Sequence, residues 1–456
     1  MAPPPLVVVI VGPTGSGKTR LAIDLARALG GDVVNADALQ MHRALPICTA
    51  RVRDDETRGV RHHLLGFVEQ GDSFDVREFV DRAGTIVREL VGEGRSVVVA
   101  GGTNYYAQAL VSDSLVNLSD GENDSDLPCA FNIDNRRETE GRRTAIDDGT
   151  VDADAGTAHA RLAEVDPESA KRLHPNDVRR VRRYLEIYKE MGRPPSEIFK
   201  ERRTMRTFRS RFDSLGCRTV FIALQCDSNT LDRVLRHRVE SMVERGLVGE
   251  LEDFARAHGI DERDDARGDV RQAIGYAEWK TFLRAQIDND VTTLTVDEVD
   301  KLRTEAIEST IQNTCRLAKR QQARVQTFVT RYGWPVKYVD STLSLIDFLS
   351  NMPRFEQTWQ ETVVDVALEA CECVRNSIKY RQDTDPTPQN VSSPSDEWTV
   401  RRCECCDKTL RGDVEWRAHL SGRRHRKVAS AARKRQKGEF GHRHPSRSVG
   451  LSEISE

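Results

Sequence analysis

With 456 residues, 38% of them hydrophobic and 31% charged, the chain is longer than one hydrophobic core organises and too apolar to be wholly disordered, so two or three folded domains are expected. No run reaches the roughly 18 apolar residues of a membrane span, and the opening Met1 to Val11 has no basic stretch ahead of its apolar one; a soluble, intracellular protein is expected, cytoplasmic first, with nucleus or mitochondrion open. Net charge is −3, yet residues 401–447 hold 15 Lys/Arg against five Asp/Glu, an excess that suits a polyanionic partner or a solvated basic tail.

The first hundred residues alternate β-branched runs with helical patterns. Leu6 to Val11 reads as a buried strand, Lys18 to Leu29 as a helix, Asp32 to Asn35 as a second strand, Phe74 to Val91 as a helix and Ser96 to Ala100 as a third strand. Such alternation implies a parallel sheet with helices on both faces. From 112 to 157 the pattern dissolves into Asp, Glu, Asn, Gly and Ser, a composition that predicts a disordered acidic insertion. Helical periodicity then covers Val178 to Met191, Leu231 to Ala257 and Leu302 to Tyr332, with strands at Thr219 to Leu224 and Val336 to Val339. The expected organisation is an α/β core over 1–111 and 216–350, an inserted helical region over 158–215, a helix and linker over 351–397, a small module over 398–430 and a basic tail over 431–456.

Gly12, Thr14, Gly15, Ser16, Gly17, Lys18 and Thr19 fit G-x-x-x-x-G-K-T between the first strand and the first helix. In that setting backbone N–H groups converge on phosphate oxygens, Lys18 neutralises phosphate charge and the Thr19 hydroxyl holds Mg²⁺. The loop specifies a di- or triphosphate and leaves ATPase, nucleoside kinase and diphosphate-releasing transferase open. Asp37 and Gln40 follow the second strand and Gly101, Gly102 and Thr103 the third. Ligands of open α/β sheets bind at those carboxyl ends, so Asp37 and Thr103 should face the loop; alone, such an Asp is more often a helix cap or a magnesium ligand than a base, and Gly-Gly-Thr is a common turn.

Together the phosphate loop, Asp37 with Gln40, Gly101 to Thr103 with Tyr105 and Tyr106, and His62-His63-Leu64 resemble the tRNA dimethylallyltransferases, also called tRNA isopentenyltransferases. The run from Glu164 through His174-Pro175-Asn176-Asp177, Arg180 and Arg183 to Ser196 resembles their helical region, and Ala273 to Tyr276 and Leu317 to Gln321 their last signatures. The resemblance covers residues 6 to 340 apart from the insertion. It implies a P-loop NTPase-like fold and transfer of a dimethylallyl group from dimethylallyl diphosphate to the exocyclic amine of the adenosine 3′ to a tRNA anticodon, with Mg²⁺. It also implies Asp37 as the base, Thr103 beside the reacting amine, Gln40 on the everted base, and Lys18, Ser16, Thr19 and Arg238 on the leaving diphosphate. Arg43, Asn176, Asp177, Arg180, Arg183, Lys319, Arg320 and Gln321 are then expected at the tRNA. The chain departs from the family's pattern with Ala38 for Ser, His42 for Tyr, Val234 and Cys315 for Arg, and Arg324 for Trp.

Cys403, Cys406, His419 and His425 are spaced C-x2-C, twelve residues, H-x5-H, which puts two thiolates on a turn and two imidazoles on one helix, the arrangement of a closed tetrahedral Zn²⁺ site. Cys405 is expected to stand aside, and Trp416 and Leu420 to form the small apolar contact. Arg423 and Arg424 begin a basic run suited to phosphates, and fingers of this spacing resemble those of eukaryotic members, where they would grip the tRNA. A monomer is expected. Three rival readings remain at this point: a P-loop nucleotide kinase, an adenylate isopentenyltransferase of the cytokinin type, and an RNA-binding protein with an inactive core.

Overall fold

The computed structural model describes residues 3–112 apart from Ser73, 155–173, 178–204, 208, 210–260, 269–287, 295–376 apart from Arg331, and 400–428 apart from 404, 407, 423, 424 and 427. The chain divides into two units, Met1–Asp383 and Thr384–Glu456. The acidic insertion up to 154, the linker over 377–399 and the basic tail lie outside the described residues, as do Asn176, Asp177, Arg423 and Arg424. Among the described residues, no helix is long and apolar enough to cross a membrane.

In the first unit, β1 (Leu6–Val11), β2 (Asp32–Asn35), β3 (His62–His63), β4 (Val97–Ala100), β5 (Arg218–Gln225) and β6 (Val336–Asp340) form one sheet in the order β3-β2-β4-β1-β5-β6, every pairing parallel. Along β1, Val7, Val9 and Val11 enter one core while Leu6, Val8 and Ile10 enter the other. An unbroken apolar strand is therefore what a sheet covered on both faces requires. The first face is covered by α2 (Val76–Gly92) and α3 (Asn104–Val111), with Phe328 of a long helix described below. The second is covered by α1 (Lys18–Leu29) and by a C-terminal helix. The sheet's order reverses at β1, whose neighbours are β4 and β5. The crevice above such a switch point is where this architecture receives ligands.

The helical excursion comprises α4 (Ala155–Val165), α5 (Pro167–Arg172), α6 (Val178–Met191) and α7 (Pro195–Thr204) around their own core of Leu162, Val181, Tyr184 and Phe199. Ser112 and Ser210 pair in an antiparallel bridge, so the excursion leaves and rejoins the sheet at one place. The segment Leu231 to Ala257 is not the single helix that its periodicity suggests. It is α8 (Ser228–Glu244) and α9 (Leu247–His258), broken where Gly246 takes φ 98°, a left-handed conformation that no apolar spacing encodes. After α10 (Lys280–Ile287), α11 (Val296–Thr330) runs 35 residues back to the sheet and contributes Phe328 to the first face.

At the end of the first unit, residues 355–375 are helical, and the linker expected after them lies outside the described residues. Beyond α12 (Thr342–Leu349), α13 (Phe355–Trp359) continues through a π-helical segment, Gln360–Val364, into α14 (Asp365–Arg375). Trp359, Val363, Val364, Ala367 and Cys371 belong to the second core, so this helix completes the sheet's cover.

The second unit pairs β7 (Val400–Cys403) with β8 (Lys408–Arg411) and follows them with α15 (Gly412–Ser421). Trp416 is half-buried beneath the Arg401 guanidinium, 5.7 Å from the ring centre. Leu420, expected beside it, is 39% exposed.

Candidate active site and zinc finger

The loop between β1 and α1 turns back on itself. Lys18 Nζ donates to the Gly12 and Pro13 carbonyls at 2.9 and 2.8 Å, and the buried Ser16 hydroxyl donates to the Pro13 carbonyl at 2.8 Å. Gly17 has φ 96°, and a Cβ there would lie 2.5 Å from the Trp359 ring. The second glycine of the motif is thus required by its handedness and also by the indole laid on it. Trp359 is held by an Nε1–H donated to Asp24 at 2.8 Å, and its outer side is covered by the Arg20 guanidinium, 5.2 Å from the ring centre.

A cavity of about 520 Å³ opens above this loop. Thr14, Gly15, Gly17, Lys18, Thr19, Asp37, Gln40, Thr103, Arg238 and Gln321 line it, so ten of the sequence-predicted positions meet in one space. Lys18, Arg20, Arg238 and Arg245 supply its cations, Asp37 and Glu56 its carboxylates. A balance of that kind attracts a polyanion.

Asp37 is fixed from three directions. Its Oδ1 accepts from the Leu39 N–H and its Oδ2 from the Gly102 N–H, both at 3.1 Å, while Asn35 brackets its backbone by accepting from the Asp37 N–H and donating to its carbonyl. Burial raises the Asp37 carboxyl above the ordinary aspartate range, and the backbone donors and Lys18 oppose that rise. A carboxylate so poised accepts a proton more readily than a solvated one. Burial lowers the Lys18 ammonium to about 7, with Asp37 opposing and Arg238 reinforcing the shift. Arg238 is lowered for the same first reason and donates to the Thr14 hydroxyl at 3.1 Å.

The Gly-Gly pair is a packing necessity. A Cβ on Gly101 would lie 2.1 Å from the Ala36 carbonyl carbon, and one on Gly102 would lie 2.5 Å from Asp37 Oδ2 and 3.3 Å from Gln321 Nε2. Next to them the buried Thr103 accepts from the Ala38 N–H at 3.0 Å, which leaves the hydroxyl hydrogen to donate. Gln40 donates to the Thr49 and Ala50 carbonyls at 3.2 and 3.3 Å, fastening the loop that forms one wall.

Two site-shaping residues carry no sequence signal. Glu250 of α9 accepts from the Ile47 and Cys48 N–H groups at 2.7 and 2.8 Å and so pins that wall from behind; burial raises its carboxyl. Trp359 is the other, far along the chain from the Gly17 it covers. Several expected tRNA residues stand apart from the cavity. Arg43 is exposed and pairs with Glu69 at 2.5 Å. Arg183 pairs with Glu186 at 2.9 Å on α6, which also carries Arg180, and Lys319 and Arg320 are exposed on α11. Gln321, by contrast, lines the cavity, with both amide atoms hydrogen-bonded within the protein. Val234 and Cys315, the two departures from arginine, adjoin one small apolar cluster with Leu231, Leu235 and Leu345. Arg324, standing for Trp, is buried, donates to Gln108 and lies 5.2 Å from the Phe328 ring centre.

In the second unit the ligand atoms of Cys403, Cys406, His419 and His425 all lie within 4.8 Å of one another. His425 Nδ1 is 3.4 Å from Cys403 Sγ, 3.5 Å from Cys406 Sγ and 3.0 Å from His419 Nε2. Tetrahedral Zn²⁺ with Zn–S near 2.3 Å and Zn–N near 2.0 Å requires S···N separations of about 3.5 Å and an N···N separation of about 3.3 Å. The residues therefore fit structural zinc. Cys405 is exposed and outside the set.

A family model described as IPP transferase matches residues 40–326, more than half of the chain, and one described as a zinc finger of C2H2 type matches residues 401–425. The chain belongs to the IPP transferase family. It is 34% identical to tRNA dimethylallyltransferase 2 of Arabidopsis thaliana across 92% of this chain and 91% of that one. It is 31% identical to the tRNA dimethylallyltransferase of Homo sapiens across 92% and 85%. Its fold is similar to the solved structure of a eukaryotic dimethylallyltransferase acting on tRNA, with TM-score 0.69, 24% identity and coverage of 96% of this chain and 99% of that one. Membership of this transferase family takes the place of the kinase reading.

Proposed function

We propose that the chain transfers a dimethylallyl group from dimethylallyl diphosphate to the exocyclic amine of the adenosine 3′ to a tRNA anticodon, releasing diphosphate. The diphosphate sits on the loop N–H groups with Lys18 and Arg238, and the adenine is turned out of its stack into the same cavity. The amine lone pair forms the new C–N bond as the allylic C–O bond breaks; the electron pair leaves with diphosphate and the amine proton passes to Asp37. Lys18 and Arg238 meet the charge that grows on the leaving group, and Thr103 donates its hydroxyl hydrogen beside the reacting amine. Thr19, which lines the cavity, would hold Mg²⁺ through its hydroxyl together with diphosphate oxygens, a hard oxygen set suited to that ion, and the ion would neutralise charge on the leaving group. A Zn²⁺-bearing finger with the basic run from Arg423 and Arg424 would hold the tRNA, and the protein would act as a monomer in the cytoplasm.

The observation that carries this reading is that the half-buried Asp37 carboxyl and the phosphate-loop lysine line one cavity and perturb one another. A kinase needs the loop, but the pairing of a raised-pKa carboxyl with a diphosphate cradle suits alkylation of a weak amine nucleophile. The test is mass spectrometry of nucleosides from tRNA incubated with the protein, Mg²⁺ and dimethylallyl diphosphate. Adenosine heavier by one dimethylallyl group, confined to the position after the anticodon, is expected; unmodified adenosine would overturn the reading.

A further inference from the structure

We propose that Gln321 is a positioning residue for this transfer, a rigid brace that sets the distance between the phosphate loop and the carboxylate of Asp37. The inference rests on the function proposed above and assigns Gln321 a role inside the site, where the sequence suggests an RNA contact.

The side chain is 4% exposed and both ends of its amide are used. Oε1 accepts from the Thr14 N–H at 2.7 Å, within the phosphate loop. Nε2 donates to the Gly102 carbonyl at 2.8 Å. Gly102 in turn donates its N–H to Asp37 Oδ2 at 3.1 Å. One continuous chain of three hydrogen bonds thus joins the loop expected to hold the diphosphate to the oxygen expected to take the proton. Packing states the same relation independently, because the Cβ that Gly102 lacks would touch Asp37 Oδ2 on one side and Gln321 Nε2 on the other. The turn is a plate clamped between them. The backbone of Gln321 is held too, its carbonyl accepting from Asn104 Nδ2 at 3.4 Å.

An amide is the one side chain of this length that accepts at one end and donates at the other at every ordinary pH. A carboxylate in its place would still accept from Thr14 but would face the Gly102 carbonyl oxygen with a second oxygen. Protonated, that carboxyl would donate to Gly102 and restore the amide's pattern. Because in-line displacement tolerates misplacement poorly, with losses of about 100-fold for about 1 Å, loosening this brace should appear in the transfer step and not in ligand affinity.

The experiment compares full-length wild type, Gln321→Met and Gln321→Glu in prenyl transfer to unmodified tRNA from dimethylallyl diphosphate. Gln321→Met should lower kcat about 30- to 100-fold, with KM for donor and for tRNA within about threefold. Gln321→Glu keeps the volume and one polar contact, which preserves folding if the methionine variant fails. Its rate relative to wild type at each pH should rise as pH falls, since the introduced carboxyl regains its donor while the Asp37 titration common to both proteins cancels. Methionine-variant kinetics within about threefold of wild type, or a pH-independent ratio for the glutamate variant, would overturn the brace. A wild type that transfers nothing in the same assay would instead remove the function on which it rests.

Discussion

Gly102→Ala moves Asp37 without altering any functional group. The added Cβ would lie 2.5 Å from Asp37 Oδ2, whereas ordinary contact begins at 3.4 Å, so the carboxylate or the turn must retreat by about 0.9 Å. The hydrogen bond from the Gly102 N–H to that oxygen, 3.1 Å long, is stretched in the process. A displacement near 1 Å of a reacting group costs about 100-fold in rate, so kcat for prenyl transfer should fall by about two orders of magnitude while donor and tRNA affinities stay within a few-fold. Single-turnover transfer of labelled dimethylallyl groups, with equilibrium binding of each substrate, separates the two quantities. Gly249→Ala serves as the control: on α9 with open space at its Cβ, it should leave the rate unchanged and stabilise the helix by up to about 1 kcal/mol. Gly101→Ala should behave differently again, because its Cβ meets the Ala36 backbone at 2.1 Å and damages folding itself. A Gly102→Ala enzyme within about threefold of wild type would refute the idea that the carboxylate's position matters to the chemistry.

Other outcomes follow from the same geometry. Asp37 has its pKa raised by burial, so kcat/KM should be lost on acidification through a pKa above the ordinary aspartate value of 3.8; a limb at or below that value contradicts the burial. Lys18 is lowered to about 7 in the donor-free protein, so it sheds its charge as pH rises past that point and donor binding weakens. The alkaline limb should therefore show in kcat/KM and fade in kcat, where bound diphosphate holds the proton on Lys18; equal limbs in both would exclude that assignment. Chelation of zinc, or Cys403→Ser, should unfold residues 400–428 alone, weaken tRNA binding and flatten its salt dependence, since a metal of this class supplies most of the folding energy of so small a module. Unchanged affinity at moderate salt would take the finger out of RNA binding.

Local chemistry makes much of the frame legible. β1 and α1 run from Leu6 to Val11 and from Lys18 to Leu29 in both readings because an all-apolar strand, a glycine-bounded loop and an amphipathic helix each announce themselves within a dozen residues. Asp37, Gly102 and Thr103 can be expected near the loop from strand ends alone, since sheet topology fixes where those ends gather. What stays hidden is long-range or depends on one dihedral angle. Gly246 breaks a helix whose apolar spacing continues across it. Trp359 reaches Gly17, Glu250 reaches the Ile47 N–H and Gln321 reaches Gly102 across intervals that no periodicity spans.

The central claim, that a cavity shared by a diphosphate cradle and the half-buried Asp37 carboxylate performs the transfer, is tested most directly by Asp37→Asn. The amide is isosteric and keeps an oxygen for the Gly102 N–H, but it cannot take up the amine proton at neutral pH. At saturating dimethylallyl diphosphate and tRNA, the variant should bind both ligands with near-normal affinity and form prenylated adenosine about 100- to 10,000-fold more slowly, the range of general-base catalysis. Prenylation at the wild-type rate would contradict the account.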